Sequence, residues 1–176
     1  MIVFDGDSVV LQGGYAITPQ KCWPHLVANG REYKNAGVHM STAKDCHARL
    51  PQVFELNPKW YVLQIGQWSQ NHEDVSTFEH YMRQICEEMN LRSVRVVLVT
   101  PGVQILDGFN VIPFVTALEK LSRIYKTGFV NVHQWILKSG ANLPDLVCDD
   151  HSKCHFNETG SELVAQCFNR SVWFDS

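Results

Sequence analysis

The stretch Val3-Phe4-Asp5-Gly6-Asp7-Ser8-Val9-Val10, VFDGDSVV, decides how the rest of the chain is read. An apolar opening runs directly into Gly6-Asp7-Ser8. Gly, Asp and Ser are the common residues of turns and helix caps, so a plain turn accounts for them. A nucleophile presented at the end of a strand is the sharper alternative. The tripeptide alone favours the turn. The choice therefore rests on what the remaining residues can place around Ser8.

Outward from this stretch, short apolar runs alternate with helical patterns. Residues 1–4 and 9–11 flank the Gly-Asp-Ser, and further runs follow at 60–65 (WYVLQI), 95–100 (RVVLVT, closed by Pro101) and 129–132 (FVNV). They read as strands buried on both faces, as in a parallel sheet. Apolar residues at helical spacing fill 42–56, 75–89, 112–125 and 158–169, and Pro51 is expected to kink or divide the first of these. Strand alternating with helix is the pattern of an α/β layer fold. The 176 residues suit one domain, 1–176, with enough chain to bury a sizeable core.

Composition narrows the function. Hydrophobic residues make up 45% and charged residues 19%, an ordinary globular balance, and the formal net charge is −3. No run of Lys and Arg stands out, which disfavours nucleic acid as a partner. No apolar run approaches the roughly 20 residues that span a bilayer. Asp5 and Asp7 interrupt the apolar opening and no basic segment precedes it, so it does not read as a signal peptide, and a cytoplasmic location is expected. None of the six cysteines forms a CxxC pair, so no metal site is expected. Most of them read as small buried hydrophobes in a reducing compartment, with Cys148 and Cys154 close enough to bridge in an oxidising one. Gly13-Gly14 alone does not make a phosphate loop, and no cofactor is expected.

In an α/β layer fold, sites gather at the carboxyl ends of the strands. That rule selects Ser8, the loop 35–40 and the loop 66–71, and the late loop 149–157 can reach the same edge. A serine hydroxyl needs a base within hydrogen-bond reach to act as a nucleophile. Of the eight histidines, those at 25, 47 and 80 read as surface or packing residues, and His133 follows the fourth strand. His155 lies in CHFNETG. A helix start explains Asn157 and Glu158 there, but it does not explain the histidine.

Taken in order, these segments resemble the SGNH hydrolases of the GDSL esterase/lipase superfamily over most of the chain. Gly6-Asp7-Ser8 resembles the first block, whose serine is the nucleophile. Asn35-Ala-Gly-Val-His-Met-Ser-Thr42 resembles the second, whose glycine donates a backbone N–H to the oxyanion. Ala48-Arg-Leu-Pro51 and Pro58-Lys-Trp-Tyr-Val-Leu-Gln-Ile-Gly66 resemble the approach to the third. His155-Phe-Asn-Glu-Thr-Gly160 resembles the last, whose histidine is the base. The resemblance implies a three-layer α/β/α sandwich with a parallel, flavodoxin-like central sheet. It also implies a serine esterase that works without a cofactor through an acyl-Ser8 intermediate.

Three positions depart from that pattern. Met40 stands where the second block has glycine; its N–H survives, but its side chain is expected to crowd the pocket. Trp68 stands where the third block has the asparagine that donates to the oxyanion. Its indole, or Asn71 or Gln67, can replace that donor, and Asn71 is taken as the candidate. Ser152 stands where the last block has aspartate. Asp149 or Asp150 can supply the carboxylate if the loop bulges, with Asp150 preferred, or Ser8 and His155 work as a dyad. The expected site is thus Ser8, His155 and Asp150, with oxyanion donors from Ser8, Met40 and Asn71 and substrate contacts from Asp7 and Trp68. The expected substrate is a short acyl ester, such as an acetyl group on a carbohydrate. The alternative is a degenerate domain of the same fold that binds glycans or a protein without turnover.

Overall fold

A computed structural model describes residues 1–11, 17–103, 110–151 and 153–169. Gly13, Gly14 and Ser152 lie outside them. In chain order the elements are β1 (Ile2–Gly6), α1 (Ser8–Leu11), α2 (Trp23–Ala28), β2 (Tyr33–Asn35), α3 (Ala43–Ala48), α4 (Leu50–Glu55), β3 (Trp60–Gln64), α5 (Ser69–His72), α6 (Val75–Leu91), β4 (Arg95–Val99), α7 (Ile112–Tyr125), β5 (Gly128–Val130), α8 (Val132–Ser139) and α9 (Glu158–Asn169). The five strands form one sheet in the order β2-β1-β3-β4-β5. Every pairing in it is parallel.

Alternation along the strands separates two cores. Val3, Tyr61, Leu63, Val96 and Leu98 face one side and pack with Cys46, Leu50, Phe78, Met82 and Leu118 from α3, α4, α6 and α7. Ile2, Phe4, Val62, Val97 and Val99 face the other and pack with Val10, Trp23, Ile136 and Val164 from α1, α2, α8 and α9. This is a three-layer α/β/α sandwich, and period-2 side-chain alternation on strands buried from both sides produces it.

Two expected elements are corrected. Residues 9–11 are helix, not strand. The Asp7 carboxylate accepts the Val9 N–H at 2.9 Å, and the Asp7 carbonyl accepts those of Val10 and Leu11, so the chain turns into α1 at Ser8. Val132 opens α8 instead of closing a strand, because the Asn131 side chain caps the Gln134 N–H at 2.9 Å. The expected break at Pro51 is present: it separates α3 from α4 and sits in the first turn of α4, where a missing N–H costs nothing.

Gly6 closes β1 at φ +148°, and a Cβ placed there would lie 1.9 Å from the Gln64 carbonyl oxygen of β3. Only glycine lets the two central strands stay paired while the chain leaves the sheet at that point.

Candidate active site

Ser8 sits at the carboxyl end of β1, the second strand of the sheet, with β2 and β3 on either side. Three loops surround it. The first, 36–42, extends β2. Ala36 donates to the Phe4 carbonyl at 2.7 Å and Val38 to that of Gly6 at 3.1 Å, which keeps the loop paired with β1 as far as Val38. Asn35 spans the join, donating to the Val10 carbonyl at 2.8 Å and accepting the Gly37 N–H at 3.0 Å. Gly37 lies against α1, where a Cβ would meet the Leu11 nitrogen at 2.7 Å.

The loop turns at Met40 with φ 60°, a left-handed conformation that favours glycine. Its side chain is 62% exposed, so the expected crowding does not occur. Among the described residues, neither the Met40 N–H nor the Ser8 N–H meets a protein acceptor.

The second loop follows β3. Gly66 turns it at φ 118°. The Asp7 carboxylate accepts the Trp68 N–H at 3.2 Å, which fastens this loop to the turn at Ser8. Asp7, expected to touch substrate, is only 1% exposed, and both its oxygens accept main-chain N–H groups. It braces two loops from inside. Burial pushes its carboxyl up to about 6, opposed by the Val9 and Trp68 N–H groups. The Trp68 ring is half-buried and stacks on His72 at 4.0 Å. Asn71 lies exposed in α5, its N–H donating to the Trp68 carbonyl at 3.2 Å, and no hydrogen bond brings its amide to Ser8 or His155.

The third loop carries His155. Val147 and Phe156 form an antiparallel bridge, Cys148 donates to the His155 carbonyl at 2.8 Å and Asn157 to that of Leu146 at 3.0 Å. Within this narrow neck Asp150 and His155 face the same way. One Asp150 oxygen accepts the Lys153 N–H at 2.9 Å, and Lys153 is left-handed at φ 47°. That turn absorbs the two residues by which Asp150 is farther from His155 than the three-residue spacing in the resemblance. Phe156 locks the neck to the end of β4 over Gly102, where a Cβ would sit 2.7 Å from its ring. On the far side of the same neck, the Asn157 side chain caps α9 by accepting the Gly160 N–H at 3.0 Å.

These loops bring Ser8, His155 and Asp150 together. His155 Nε2 lies 2.8 Å from Ser8 Oγ, and Nδ1 lies 2.9 Å from the other Asp150 oxygen. Ionised Asp150 can only accept, so Nδ1 carries the proton and Nε2 accepts from the serine hydroxyl. Burial pushes the His155 imidazolium down from its ordinary 6.5, the nearby His39 adds like-charge repulsion, and Asp150 opposes both. Together these leave a neutral, oriented imidazole against a hydroxyl at neutral pH. That pair can take a proton from Ser8 Oγ as it attacks.

The sequence reading missed two features. His39 was passed over as part of a loop motif, although it belongs to the electrostatic surroundings of His155. The second is a buried polar cluster of Asp5, Arg49 and Tyr61 beneath Gly6. A signal for it was present, since an acid in the middle of an apolar strand demands a partner.

No family model matches the chain, and no curated protein does. Solved structures do. An acetylxylan esterase from Geobacillus stearothermophilus superposes with a TM-score of 0.79 at 16% identity, over 99% of this chain and 94% of that one. A lipase/acylhydrolase from Enterococcus faecalis gives 0.78 at 20% identity, over 98% and 95%. A lipolytic protein of the G-D-S-L family from Desulfitobacterium hafniense gives 0.80 at 15% identity, over 97% and 98%. At these identities the likeness is one of fold, and the fold is that of the SGNH hydrolases.

Proposed function

We propose, from an SGNH-hydrolase fold that holds a Ser8–His155–Asp150 constellation, that the protein is a serine esterase. The observation that carries this reading is His155 Nε2 at 2.8 Å from Ser8 Oγ, with Nδ1 turned to Asp150 at 2.9 Å. Ser8 Oγ attacks the ester carbonyl carbon as its proton passes to His155 Nε2. The carbonyl π pair moves to oxygen, which the Ser8 and Met40 N–H groups hold. Asp150 stabilises the imidazolium. The tetrahedral intermediate collapses, the alkoxide leaves with the His155 proton, and acyl-Ser8 remains. Water, deprotonated by His155, then releases the acid and restores the serine.

A short acyl ester, such as an acetyl group on a carbohydrate, is the proposed substrate. The Trp68 ring, stacked on His72 in the loop tied to Asp7, supplies a flat surface of the kind that packs against a sugar. The acetylxylan esterase among the structural neighbours fits that reading. Comparing p-nitrophenyl acetate, butyrate and octanoate with acetylated xylo-oligosaccharides tests it. Preference for acetyl supports the proposal, and preference for octanoate sinks the short-acyl part.

The competing reading, a binding domain without turnover, draws on Met40 and Trp68 replacing the family's oxyanion residues. The left-handed turn at Met40 weighs against it, because the backbone keeps a glycine-like geometry despite the side chain.

The pH profile gives a signed test. Activity needs neutral His155, whose pKa lies below 6.5, so kcat/KM falls only as pH drops below that value. His39→Ala removes a like charge and moves this acid limb to higher pH. Asp150→Asn removes the group that favours the imidazolium; it moves the limb lower and cuts kcat by about 10⁴. Two limbs shifting in the same direction would contradict the assignment.

A further inference from the structure

The Arg49 guanidinium, in the bend between α3 and α4, touches both segments that carry the proposed oxyanion donors. Nη2 donates to the Gly6 carbonyl at 2.8 Å, two residues before Ser8. Nη1 donates to Ser41 Oγ at 3.0 Å, one residue after Met40. The group is itself anchored from below. Nε and Nη2 both donate to one oxygen of Asp5, at 2.9 and 2.7 Å. That oxygen also accepts the Gly6 N–H at 2.7 Å, and the other accepts the Tyr61 hydroxyl at 2.6 Å.

Asp5 is fully buried between strands, where an acid without partners would be strongly destabilising. A buried ion pair is commonly no more stabilising than an apolar pair of the same size. Its contribution here is directional. Up to Val38 the loop is held by sheet-like bonds to β1, and at Thr42 by the α3 capping box, in which Asp45 accepts the Thr42 N–H at 2.9 Å; Ser41 lies between these two anchors. The Ser41 N–H reaches the Val38 carbonyl only at 3.4 Å, and the 3.0 Å bond from Arg49 to Ser41 is the shorter restraint. A planar, permanently charged fork suits this task, and a lysine could not bridge the same three groups.

We propose that Arg49 is a positioning residue: braced on Asp5, it fixes the segment 39–41, and with it the Met40 N–H, against the end of β1 that presents Ser8. The catalytic part of this inference rests on the esterase reading, while the structural part does not.

The test pairs the double variant Asp5→Leu/Arg49→Met, which removes both charges together, with Ser41→Ala, which removes only the upper tie. Circular dichroism and thermal melts establish that each is folded. With p-nitrophenyl acetate, kcat is expected to fall about 10- to 100-fold in the double variant and less in Ser41→Ala, with KM little changed. Arg49→Lys is expected to recover only part of the loss. Backbone amide exchange should quicken at 39–41 and stay slow at Ala36 and Val38. A folded double variant with wild-type kcat, or unchanged exchange at 39–41, overturns the proposal. If the double variant does not fold, Ser41→Ala decides by the same two measurements. If the wild type cleaves no ester, the esterase reading falls by itself, and amide exchange alone decides whether Arg49 holds the loop.

Discussion

A fluorophosphonate will add once to the wild-type protein and not at all to Ser8→Ala or His155→Ala. The probe phosphonylates an activated serine by the route proposed for esters: Oγ attacks phosphorus, the proton moves to His155 and fluoride leaves. A hydroxyl without an oriented base does not react at a useful rate. Losing either member of such a pair costs about 10⁶ in kcat, so ester turnover should vanish with the adduct. Intact mass reads the adduct, and melting temperature shows that the variants are folded. Ser8 opens α1 half-buried, and the main-chain bond from Cys148 to the His155 carbonyl survives the His155 change, so neither variant should unfold the chain. A folded wild type that takes up no probe would end the enzyme reading and turn attention to binding partners.

The second large effect concerns β1, the strand that ends just before Ser8. Gly6→Ala puts a methyl 1.9 Å from the Gln64 carbonyl oxygen and 2.7 Å from Val10 Cγ2, with the backbone at φ +148°. The neighbour in the way is the main chain of the adjoining central strand, so the clash cannot be relieved by turning a side chain. We expect a loss of about 4 kcal/mol or more, a size reserved for mutations that break core geometry. Domains of this size are held together by only about 5–15 kcal/mol, so the variant should be largely unfolded or insoluble. Gly30→Ala is the control. Its φ is also positive, +79°, but nothing lies within 4 Å of the added Cβ, and about 1 kcal/mol is expected. Urea unfolding of the two variants separates strand clash from backbone strain. Equal losses would show that the β1–β3 contact yields more easily than its geometry implies.

Much of this site could be read along the chain because its parts obey local rules. β3, β4 and the long helices announce themselves by apolar spacing, and the sheet edge at their carboxyl ends follows from parallel connectivity. Ser8 and His155 were identifiable because each stands in a short motif that resembles a family block. Asp150 was legible only as one of several options, since its fitness depends on the Lys153 turn, which no pattern of residue types encodes. β2 has three residues, too few to show a period, and passed unnoticed. Residues 9–11 have strand composition, yet the Asp7 cap and the pull of Trp23, whose indole donates to the Val9 carbonyl at 3.2 Å, make them helix. Asp7 stands beside Ser8 in the Gly-Asp-Ser motif; only the fold shows that both its oxygens accept main-chain N–H groups from inside. The Arg49 cluster joins residues 5, 41, 49 and 61, and nothing local relates them.

Ser8 and the His155 ring that faces it stand 147 positions apart. At a synthesis rate of about 5–20 residues per second, Ser8 leaves the peptidyl-transferase centre roughly 7–30 s before His155 is joined to the chain. By then β5 has been made, ending at Val130, and with it every strand of the described sheet. A nascent chain therefore carries every strand of the described sheet, Ser8 and the loop around Met40 before it carries His155. In the proposed esterase, turnover would wait for the neck bridged by Val147 and Phe156. Ester turnover would thus report chains extended past this neck, and a ribosome stalled after β5 would hold a silent chain whose sheet still lacks the cover of α8 and α9.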